Sequence, residues 1–195
     1  MDERITEKRN QARMDGNPVL REKSFEKLLS VVKAEQPKKI LEIGTNVGLT
    51  GIAMLLESKD ATLTGIEIDE DVFNKAKENY KIFGVEKRTR LFLGSASDIL
   101  PLISGEFDFV FIDGPKGHYY EYLQYVKPLV VKGGIIFADN VLFRGFLSGK
   151  FKVPKRHSTI LHSLQNFVKE ISDSEKFDTE IIDIEDGISI SRKKY

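Results

Sequence analysis

Residues 40–48 constrain the fold more strongly than any other part of this 195-residue sequence. They begin with a short apolar run, Ile-Leu-Glu-Ile, of the kind found in buried strands. Glycines follow at positions 44 and 48, and an apolar segment with helical spacing begins after the second glycine. A strand that turns abruptly into a helix leaves backbone N–H groups free to hold part of a ligand. The pattern therefore predicts an α/β fold with a ligand site at the carboxyl end of its first strand.

The spacing of the two glycines indicates which kind of ligand binds there. A dinucleotide-binding turn follows the pattern G-x-G-x-x-G, whereas this turn reads E-x-G-x-x-x-G, with a glutamate inside the strand. We therefore expect a different adenosine-bearing ligand. A nicotinamide oxidoreductase remains an alternative, and thermal shifts with NAD and with other adenosine ligands would separate the two.

Composition excludes several other classes of protein. The sequence has no cysteine, which excludes disulfides, thiolate catalysis and cysteine metal sites. Lys and Arg together number 30, as do Asp and Glu, so net charge indicates neither nucleic acid nor membrane as a partner. The N-terminus lacks the apolar region of a signal peptide, and no apolar run approaches the roughly 20 residues of a transmembrane helix. We expect a cytoplasmic protein without a membrane partner.

Hydrophobic periodicity predicts strands that alternate with helices. The predicted strands are residues 39–43, 62–68, 90–93, 107–112, 134–138, 179–184 and 188–191. The predicted helices are approximately residues 20–32, 47–56, 69–83, 97–102, 119–131 and 158–171. Asp186-Gly187 is a strong hairpin signal between the last two strands. This order predicts a doubly wound, Rossmann-like α/β sheet of seven strands, parallel except for a C-terminal antiparallel hairpin.

Several residues that directly follow predicted strands are candidates for an adenosine site. Glu67 ends the second strand about twenty residues after the glycine turn, where a carboxylate can accept hydrogen bonds from both ribose hydroxyls. The alternative is a solvated acid near a helix N-terminus. Ser95 and Ala96 follow the third strand, where small residues could hold an adenine edge. Alternatively, Ser95 or Ser97 caps the following helix.

Asp113 and the pair Asp139-Asn140 follow two strands that should be neighbours in the sheet. Two carboxylates and an amide oxygen are hard ligands that suit Mg²⁺, Mn²⁺ or Ca²⁺. Without a cation or a capping role, two carboxylates at one edge would repel each other. The alternative is that each residue starts an Asx turn, which Gly114-Pro115 favours after Asp113.

The motifs at these strand ends resemble one enzyme family in the same order. They are Glu-Ile-Gly-Thr at 42–45, Ile-Glu-Ile-Asp at 66–69, Phe-Asp-Phe-Val-Phe-Ile-Asp-Gly-Pro-Lys at 107–116, Gly-Gly-Ile-Ile-Phe-Ala-Asp-Asn at 133–140 and Asp-Gly-Ile-Ser-Ile-Ser-Arg at 186–192. This pattern is similar to the metal-dependent O-methyltransferases that use S-adenosylmethionine. The family includes catechol and caffeoyl-CoA O-methyltransferases and bacterial enzymes that methylate 5-hydroxyuridine in tRNA.

The resemblance implies a cofactor and a role for each matching residue. The implied cofactor contacts are Glu42, Gly44, Gly48, Glu67, Ser95, Ala96 and Asp113. The first three would border the methionine part of S-adenosylmethionine, Glu67 would bind its ribose, and Ser95 and Ala96 would lie beside its adenine. The resemblance also implies a divalent cation, Mg²⁺ in the first place, held by Asp113, Asp139 and Asn140.

Lys116 matches the lysine that acts as general base in catechol methylation, whereas its alternative role is that of a solvated lysine in a first helical turn. The match is incomplete, because Asp-Gly-Pro-Lys replaces the more usual Asp-Ala-x-Lys.

The resemblance implies an N-terminal helical cap segment, residues 1–36, a methyltransferase domain, residues 37–195, and a homodimer.

The methyl acceptor is indicated only by a basic segment. No Asp or Glu occurs between Val141 and Lys169, while basic and aromatic residues alternate over 143–157. Arg144 is the candidate substrate contact. Such a segment beside a metal suits tRNA or a coenzyme A ester, although it could also be a solvated loop. A catechol-like small molecule and tRNA 5-hydroxyuridine are both expected acceptors, and a non-catalytic adenosine- or RNA-binding module is the remaining alternative.

Overall fold

A computed structural model describes residues 2–143 and 158–195 of the chain. Its strands are β1 (Lys39–Ile43), β2 (Thr62–Glu67), β3 (Thr89–Leu93), β4 (Phe107–Ile112), β5 (Val130–Asp139), β6 (Phe177–Ile182) and β7 (Ile188–Lys193). Its α-helices are α1 (Glu3–Met14), α2 (Glu22–Glu35), α3 (Leu49–Glu57), α4 (Glu70–Ile82), α5 (Ala96–Ile99), α6 (Tyr119–Val126) and α7 (Ser158–Ile171).

The strands form one sheet in the order β3-β2-β1-β4-β5-β7-β6. The first five are parallel, and β7 lies antiparallel between β5 and β6. The predicted doubly wound seven-stranded sheet with a C-terminal antiparallel hairpin is therefore confirmed. The chain leaves β1 in one direction to build β2 and β3 and returns to build β4 and β5 on the other side. The carboxyl ends of β1 and β4 thus flank the switch point at which such sheets bind ligands.

Alternate residues of β1 enter two different hydrophobic layers, because successive side chains in a strand point to opposite faces. Ile40 packs in one layer with Phe25 of α2 and Ile52 of α3. Leu41 packs in the other layer with Phe167 of α7 and with residues of α6. Helices therefore cover both faces, and only the strand ends remain open for chemistry.

The sequence predicted a helix at 119–131 and a strand at 134–138, and the predicted end of the helix and start of the strand are wrong. The helix ends at Val126, a 3₁₀ turn spans Lys127–Leu129, and β5 already begins at Val130. Pro128 has no N–H to continue the helix. The register of β5 on β4 shifts between the pairs Phe107–Val130 and Phe109–Ile135, so Gly133 and Gly134 lie within an irregular strand. In the sequence, the same glycines read as the start of the strand.

The final hairpin also differs from the prediction in its boundaries. β6 runs from Phe177 to Ile182, two residues earlier than predicted, and residues 183–187 form the loop before β7. Glu185 and Gly187 in this loop have φ angles of 55° and 79°. The loop is therefore longer than the two-residue turn that Asp-Gly most often forms.

The N-terminal residues share the core of the sheet. Ile5 and Ala12 of α1 are buried in the same cluster as Leu20 and Phe25. The division into a cap segment, 1–36, and a catalytic domain, 37–195, stays a prediction. Within the described ranges, no helix has the length and apolar character needed to cross a membrane. The cytoplasmic location also stays a prediction.

Gly44→Ala should destabilise the protein more than Gly133→Ala. The two glycines have similar φ angles, 90° and 81°, so both substitutions place alanine in left-handed backbone at a cost of about 1 kcal/mol. Only at Gly44 would the added Cβ overlap the backbone of Asp113, whose carbonyl carbon would lie at 2.9 Å, whereas Gly133 faces open space. We expect an additional loss of about 1–3 kcal/mol for Gly44→Ala in urea unfolding. Equal losses of stability in the two variants would show that β1 and β4 can separate at their carboxyl ends to accommodate the added Cβ.

Candidate active site

Backbone hydrogen bonds fix the glycine turn to the carboxyl end of β2. The N–H groups of Gly44 and Thr45 both donate to the carbonyl of Ile66, each at 3.0 Å. Gly44 has a φ of 90°, which glycine adopts readily. These bonds hold the turn against the carboxyl end of β2, with Thr45 and Val47 buried and Asn46 half-buried.

Glu67 is fixed by backbone donors on both sides. Its Oε2 accepts from the N–H of Asn46 at 2.7 Å, and its Oε1 accepts from the N–H groups of Ile68 and Asp69 at 2.8 and 2.9 Å. These bonds hold the carboxylate at the mouth of the turn. Oε1 already accepts two hydrogen bonds and Oε2 accepts one, so a ligand hydroxyl could use the remaining lone-pair position on Oε2.

Two adjoining cavities lie along the carboxyl ends of the strands. The larger, of about 390 Å³, extends from the glycine turn to Lys116 and Asp139. The smaller, of about 280 Å³, lies beside Ser95 and Ala96. Gly44, Glu67 and Asp113 line both, so the cavities meet at the switch point of the sheet. Together they can take an elongated ligand whose middle lies against Glu67.

Most of the predicted cofactor residues lie in these cavities. Ser95 occupies the N-cap position of α5, but its hydroxyl makes no capping hydrogen bond in the described structure, which leaves it free for a ligand. Gly48 is at the N-cap of α3 and faces Tyr80, to which an added Cβ would be 2.8 Å away. Gly48 lines neither cavity, and neither does Glu42. The cofactor roles of Gly48 and Glu42 stay predictions.

Glu42 is completely buried behind the turn. Its Oε2 lies 3.5 Å from the hydroxyl of Tyr80, while Oε1 has no hydrogen-bond partner in the described part of the chain. A Cβ at Gly51 would lie 2.7 Å from Oε2, so α3 passes directly over the carboxyl group. Burial raises the pKa of Glu42 well above its ordinary value, and the neighbouring carboxylate of Asp113 raises it further. Both effects favour the protonated form of Glu42.

Asp113 and Asp139 come from neighbouring strand ends, as predicted, and both line the larger cavity with Asn140. Burial raises the pKa of Asp113, with Lys116 opposing this effect. Burial raises the pKa of Asp139 to about 7, and the charge of Asp113 contributes to the shift. Each carboxylate therefore makes ionisation of the other less favourable.

The chemistry of this donor set fits a divalent cation. Asp139 is 3% exposed, and its Oδ1 has no hydrogen-bond partner among the described residues. A buried carboxylate oxygen without a partner beside a second carboxylate lacks a compensating charge. No group of three or more Asp, Glu, His or Cys side chains in residues 2–143 and 158–195 could hold a metal. The predicted set therefore consists of two carboxylates with Asn140 as the third ligand. Asn140 directly follows Asp139 and has a φ of 57°.

Tyr119 and residues 18–21 belong to the site. No sequence signal indicated Tyr119, and residues 18–21 were expected only as part of the N-terminal cap segment, 1–36, that the resemblance implies. The hydroxyl of Tyr119 is buried and donates to the carbonyl of Asp139 at 3.0 Å, and it lies 3.4 Å from the carbonyl of Ile112. Tyr119 thus joins the ends of β4 and β5 behind the two aspartates. Residues 18–21 line the larger cavity opposite the glycine turn. In the sequence Tyr119 reads only as an apolar position of α6.

The predicted substrate contact, Arg144, lies outside the described residues, as does the basic segment up to His157. The side of the larger cavity near Asp139 and Asn140 is adjacent in sequence to this segment. The assignment of Arg144 therefore stays a prediction.

Comparison with known proteins identifies the family and agrees with the fold. The family model described as O-methyltransferase matches residues 3–194. Tapetum-specific methyltransferase 1 of Arabidopsis thaliana is 32% identical over 173 residues, which cover 85% of this chain and 74% of that protein. Caffeoyl-CoA O-methyltransferase of Stellaria longipes is 27% identical over 173 residues, which cover 85% and 72%.

A solved structure shares the same fold. The SAH-bound Podospora anserina methyltransferase PaMTH1 aligns with a TM-score of 0.87 and 24% identity, over 100% of this chain and 89% of that chain. Fold and site define an α/β methyltransferase. The chain belongs to the O-methyltransferase family and is an enzyme of that class.

The stability of Glu42→Gln should depend less on pH than that of the wild type. Because burial raises the pKa of Glu42, the folded state holds a proton that the unfolded state releases above a pH of about 4.3. Wild-type stability therefore falls as pH rises from there towards the raised pKa, a loss that glutamine avoids. Urea unfolding should show little difference near pH 4 and a gain of at least about 1 kcal/mol for Glu42→Gln at pH 8. A difference independent of pH would contradict a protonated Glu42.

Proposed function

We propose that the protein transfers the methyl group of S-adenosylmethionine, with the help of a divalent cation, to a hydroxyl next to a second oxygen. A catechol-like small molecule is the acceptor class that we favour. The observation that carries the proposal is the pair of carboxylates at the end of the larger cavity, half-buried Asp113 and buried Asp139. Asp139 has an unpartnered oxygen there, and Lys116 lines the same cavity.

The two cavities match the shape of the proposed methyl donor. Adenine would occupy the smaller cavity beside Ser95 and Ala96, and a ribose hydroxyl would donate to Oε2 of Glu67, where the cavities meet. The methionine part would then lie along the glycine turn. The sulfonium methyl would thereby come to the part of the larger cavity that Asp139 lines.

The residues that would hold the cation are Asp113, Asp139 and Asn140. When bound, a divalent cation lowers the pKa of an acceptor hydroxyl and supplies a charge against which its oxygen is oriented. Asp113 and Asp139 would ionise fully in its presence, because an opposite charge favours the carboxylate form. Mg²⁺ is the first candidate, since the donors are all oxygen atoms.

Lys116 is placed to move the acceptor proton. It lies three residues after Asp113 and lines the cavity, and its charge opposes the rise in the pKa of both aspartates. We propose that Nζ, in the neutral form that a nearby bound cation would favour, accepts the hydroxyl proton as the acceptor oxygen bonds to the methyl carbon and the methyl–sulfur bond breaks to leave S-adenosylhomocysteine. Because the sulfonium activates the methyl, holding oxygen and methyl in line supplies much of the remaining rate.

We favour a methyl acceptor with two adjacent oxygens, because the two carboxylates and a cation would orient both of these oxygens. The Stellaria longipes relative is named for caffeoyl-CoA, whose caffeoyl group carries two neighbouring hydroxyls. The 5-hydroxyuridine of tRNA, a hydroxyl beside a ring carbonyl, is the second candidate, because the segment 141–169 carries no acidic residue. The homodimer implied by the sequence resemblance stays a proposal.

The deciding experiment incubates the protein with labelled S-adenosylmethionine, Mg²⁺ and one acceptor at a time. The acceptors are catechol, caffeoyl-CoA and tRNA that lacks this methylation. Label transfer to the small molecules supports the favoured class, and transfer to tRNA alone supports the second. No transfer to any of them, with tight binding of S-adenosylhomocysteine, would favour a non-catalytic binding module.

Asp139→Asn should abolish methyl transfer without abolishing cofactor binding. The substitution keeps the shape of the side chain but removes a charge that the cation needs, so we expect a rate loss on the order of 100-fold. The dissociation constant of S-adenosylhomocysteine, measured by calorimetry, should change little. Asp98→Asn, at an exposed position of α5, is the control. Full activity of Asp139→Asn, or of the wild type in excess chelator, would rule out the metal mechanism.

Lys116→Met should slow transfer to catechol by roughly 10²- to 10⁴-fold if Lys116 is the general base. The defect should shrink with 4-nitrocatechol, whose acidic hydroxyl is largely ionised at the assay pH and needs no base. Lys132→Met, at an exposed position of β5, is the control. Steady-state kcat should be compared for the two acceptors. An equal loss with both would assign Lys116 to acceptor binding instead of proton removal.

A further inference from the structure

We propose that the tip of the β6–β7 hairpin, residues 185–187, positions residues 18–21 over the cofactor cavity and thereby sets the affinity for the methyl donor. We call residues 18–21 the strap. This inference rests on the proposed function, because it assigns the larger cavity to the methionine part of the donor. It makes Glu185 and Asp186 positioning residues that act through the strap.

The strap has few fixed points of its own. It is a short segment between α1 and α2 that forms the wall of the cavity opposite the glycine turn. The Nδ2 of Asn46 donates to the carbonyl of Pro18 at 2.9 Å, which ties one end of the strap to the turn. The buried guanidinium of Arg9 donates to the carbonyl of Leu20 at 2.8 Å from the side of α1. The end that enters α2 needs a further anchor.

Glu185 provides this anchor by capping α2. Arg21 occupies the N-cap position of α2, and its side chain makes no capping hydrogen bond. The carboxylate of Glu185 instead accepts from the N–H groups of Lys23 and Ser24 at 3.2 and 3.1 Å, and from the Ser24 hydroxyl at 2.6 Å. A carboxylate at a helix N-terminus satisfies free N–H groups and opposes the helix dipole. A residue 161 positions away in the sequence therefore determines where α2 begins.

Asp186 adds a second link to the strap. Its carboxylate forms an ion pair and hydrogen bond with the guanidinium of Arg21, the last residue of the strap. Both side chains are partly exposed, so the pair contributes little to overall stability. Its effect is local, because it restrains a side chain that lines the cavity.

The tip also forms hydrogen bonds with the residues after β5, next to the proposed cation ligands Asp139 and Asn140. The N–H groups of Val141 and Leu142 donate to the carbonyls of Gly187 and Asp186, both at 2.9 Å. A Cβ at Gly187 would lie 2.7 Å from Cδ1 of Leu142, so only glycine permits this approach. The tip thus joins the strap to the residues that directly follow Asn140. The donor cavity and the acceptor end of the site are held by the same five-residue loop.

Removal of the cap should weaken donor binding more than it slows chemistry. Glu185→Ala leaves N–H groups of α2 without their acceptor and frees the strap. We expect the dissociation constant of S-adenosylhomocysteine and the KM for S-adenosylmethionine to rise about 5-fold or more, with kcat at saturating donor within about 2-fold of wild type. Glu185→Gln retains an acceptor oxygen and should recover most of the affinity. Asp186→Asn should give a smaller rise, because its ion pair is partly exposed.

The control is Asp183→Asn, an exposed position of the same loop. Hydrogen exchange of the free protein gives a second measurement that needs no donor. Amides 19–25 should exchange faster in Glu185→Ala than in Asp183→Asn, while those of β1 remain protected. If Glu185→Ala and Asp186→Asn bind S-adenosylhomocysteine as the wild type does, the positioning role is wrong. If the wild type itself does not bind it, the proposed function fails, while the exchange result still tests the link between tip and strap.

Discussion

The close approach of β1 and β4 at their carboxyl ends is the constraint on which the rest of the site depends. Gly44 has no side chain, so its backbone can lie against that of Asp113, where any Cβ would overlap a carbonyl group. The N–H of Asp113 donates to the carbonyl of Ile43 at 2.9 Å at the same point. This approach brings the glycine turn, which would receive the methyl donor, next to the first of the two aspartates. A wider separation would leave donor and acceptor sites too far apart for direct transfer.

Burial of charge at these strand ends comes at an energetic cost that the structure offsets in different ways. Glu67 is compensated by three backbone N–H donors. Burial raises the pKa of Glu42 and so favours its neutral form. Asp113 and Asp139 lack full compensation, because burial raises the pKa of both carboxyl groups and the charge of Asp113 raises that of Asp139 further. This pair, for which we propose a bound cation, lies beside the backbone-bonded Glu67, and the contrast supports a chemical role for the pair.

The two ends of the chain meet over the site. The strap from the N-terminal part forms one wall of the donor cavity, and the hairpin tip near the C-terminus caps the helix that follows the strap. The same tip binds the backbone directly after Asn140. Under the proposed function, donor affinity and the placement of Asp139 and Asn140 would therefore be linked through one loop of the sheet, although that loop contains no residue of the proposed chemical step.

The sequence by itself determined the order of the seven strands and of the helices from α2 onward, but it did not predict α1. Gly44, Glu67, Asp113 and Asp139 could be predicted because each lies at or directly after the end of a strand and all parallel strands end at one edge of the sheet. Only the tertiary structure decided that Glu42 points behind the turn, because strand alternation does not reveal which layer each face meets. Only it revealed the irregular start of β5 and the contact of Glu185 with α2. Such contacts join residues far apart in the chain, so no local pattern of spacing or propensity encodes them.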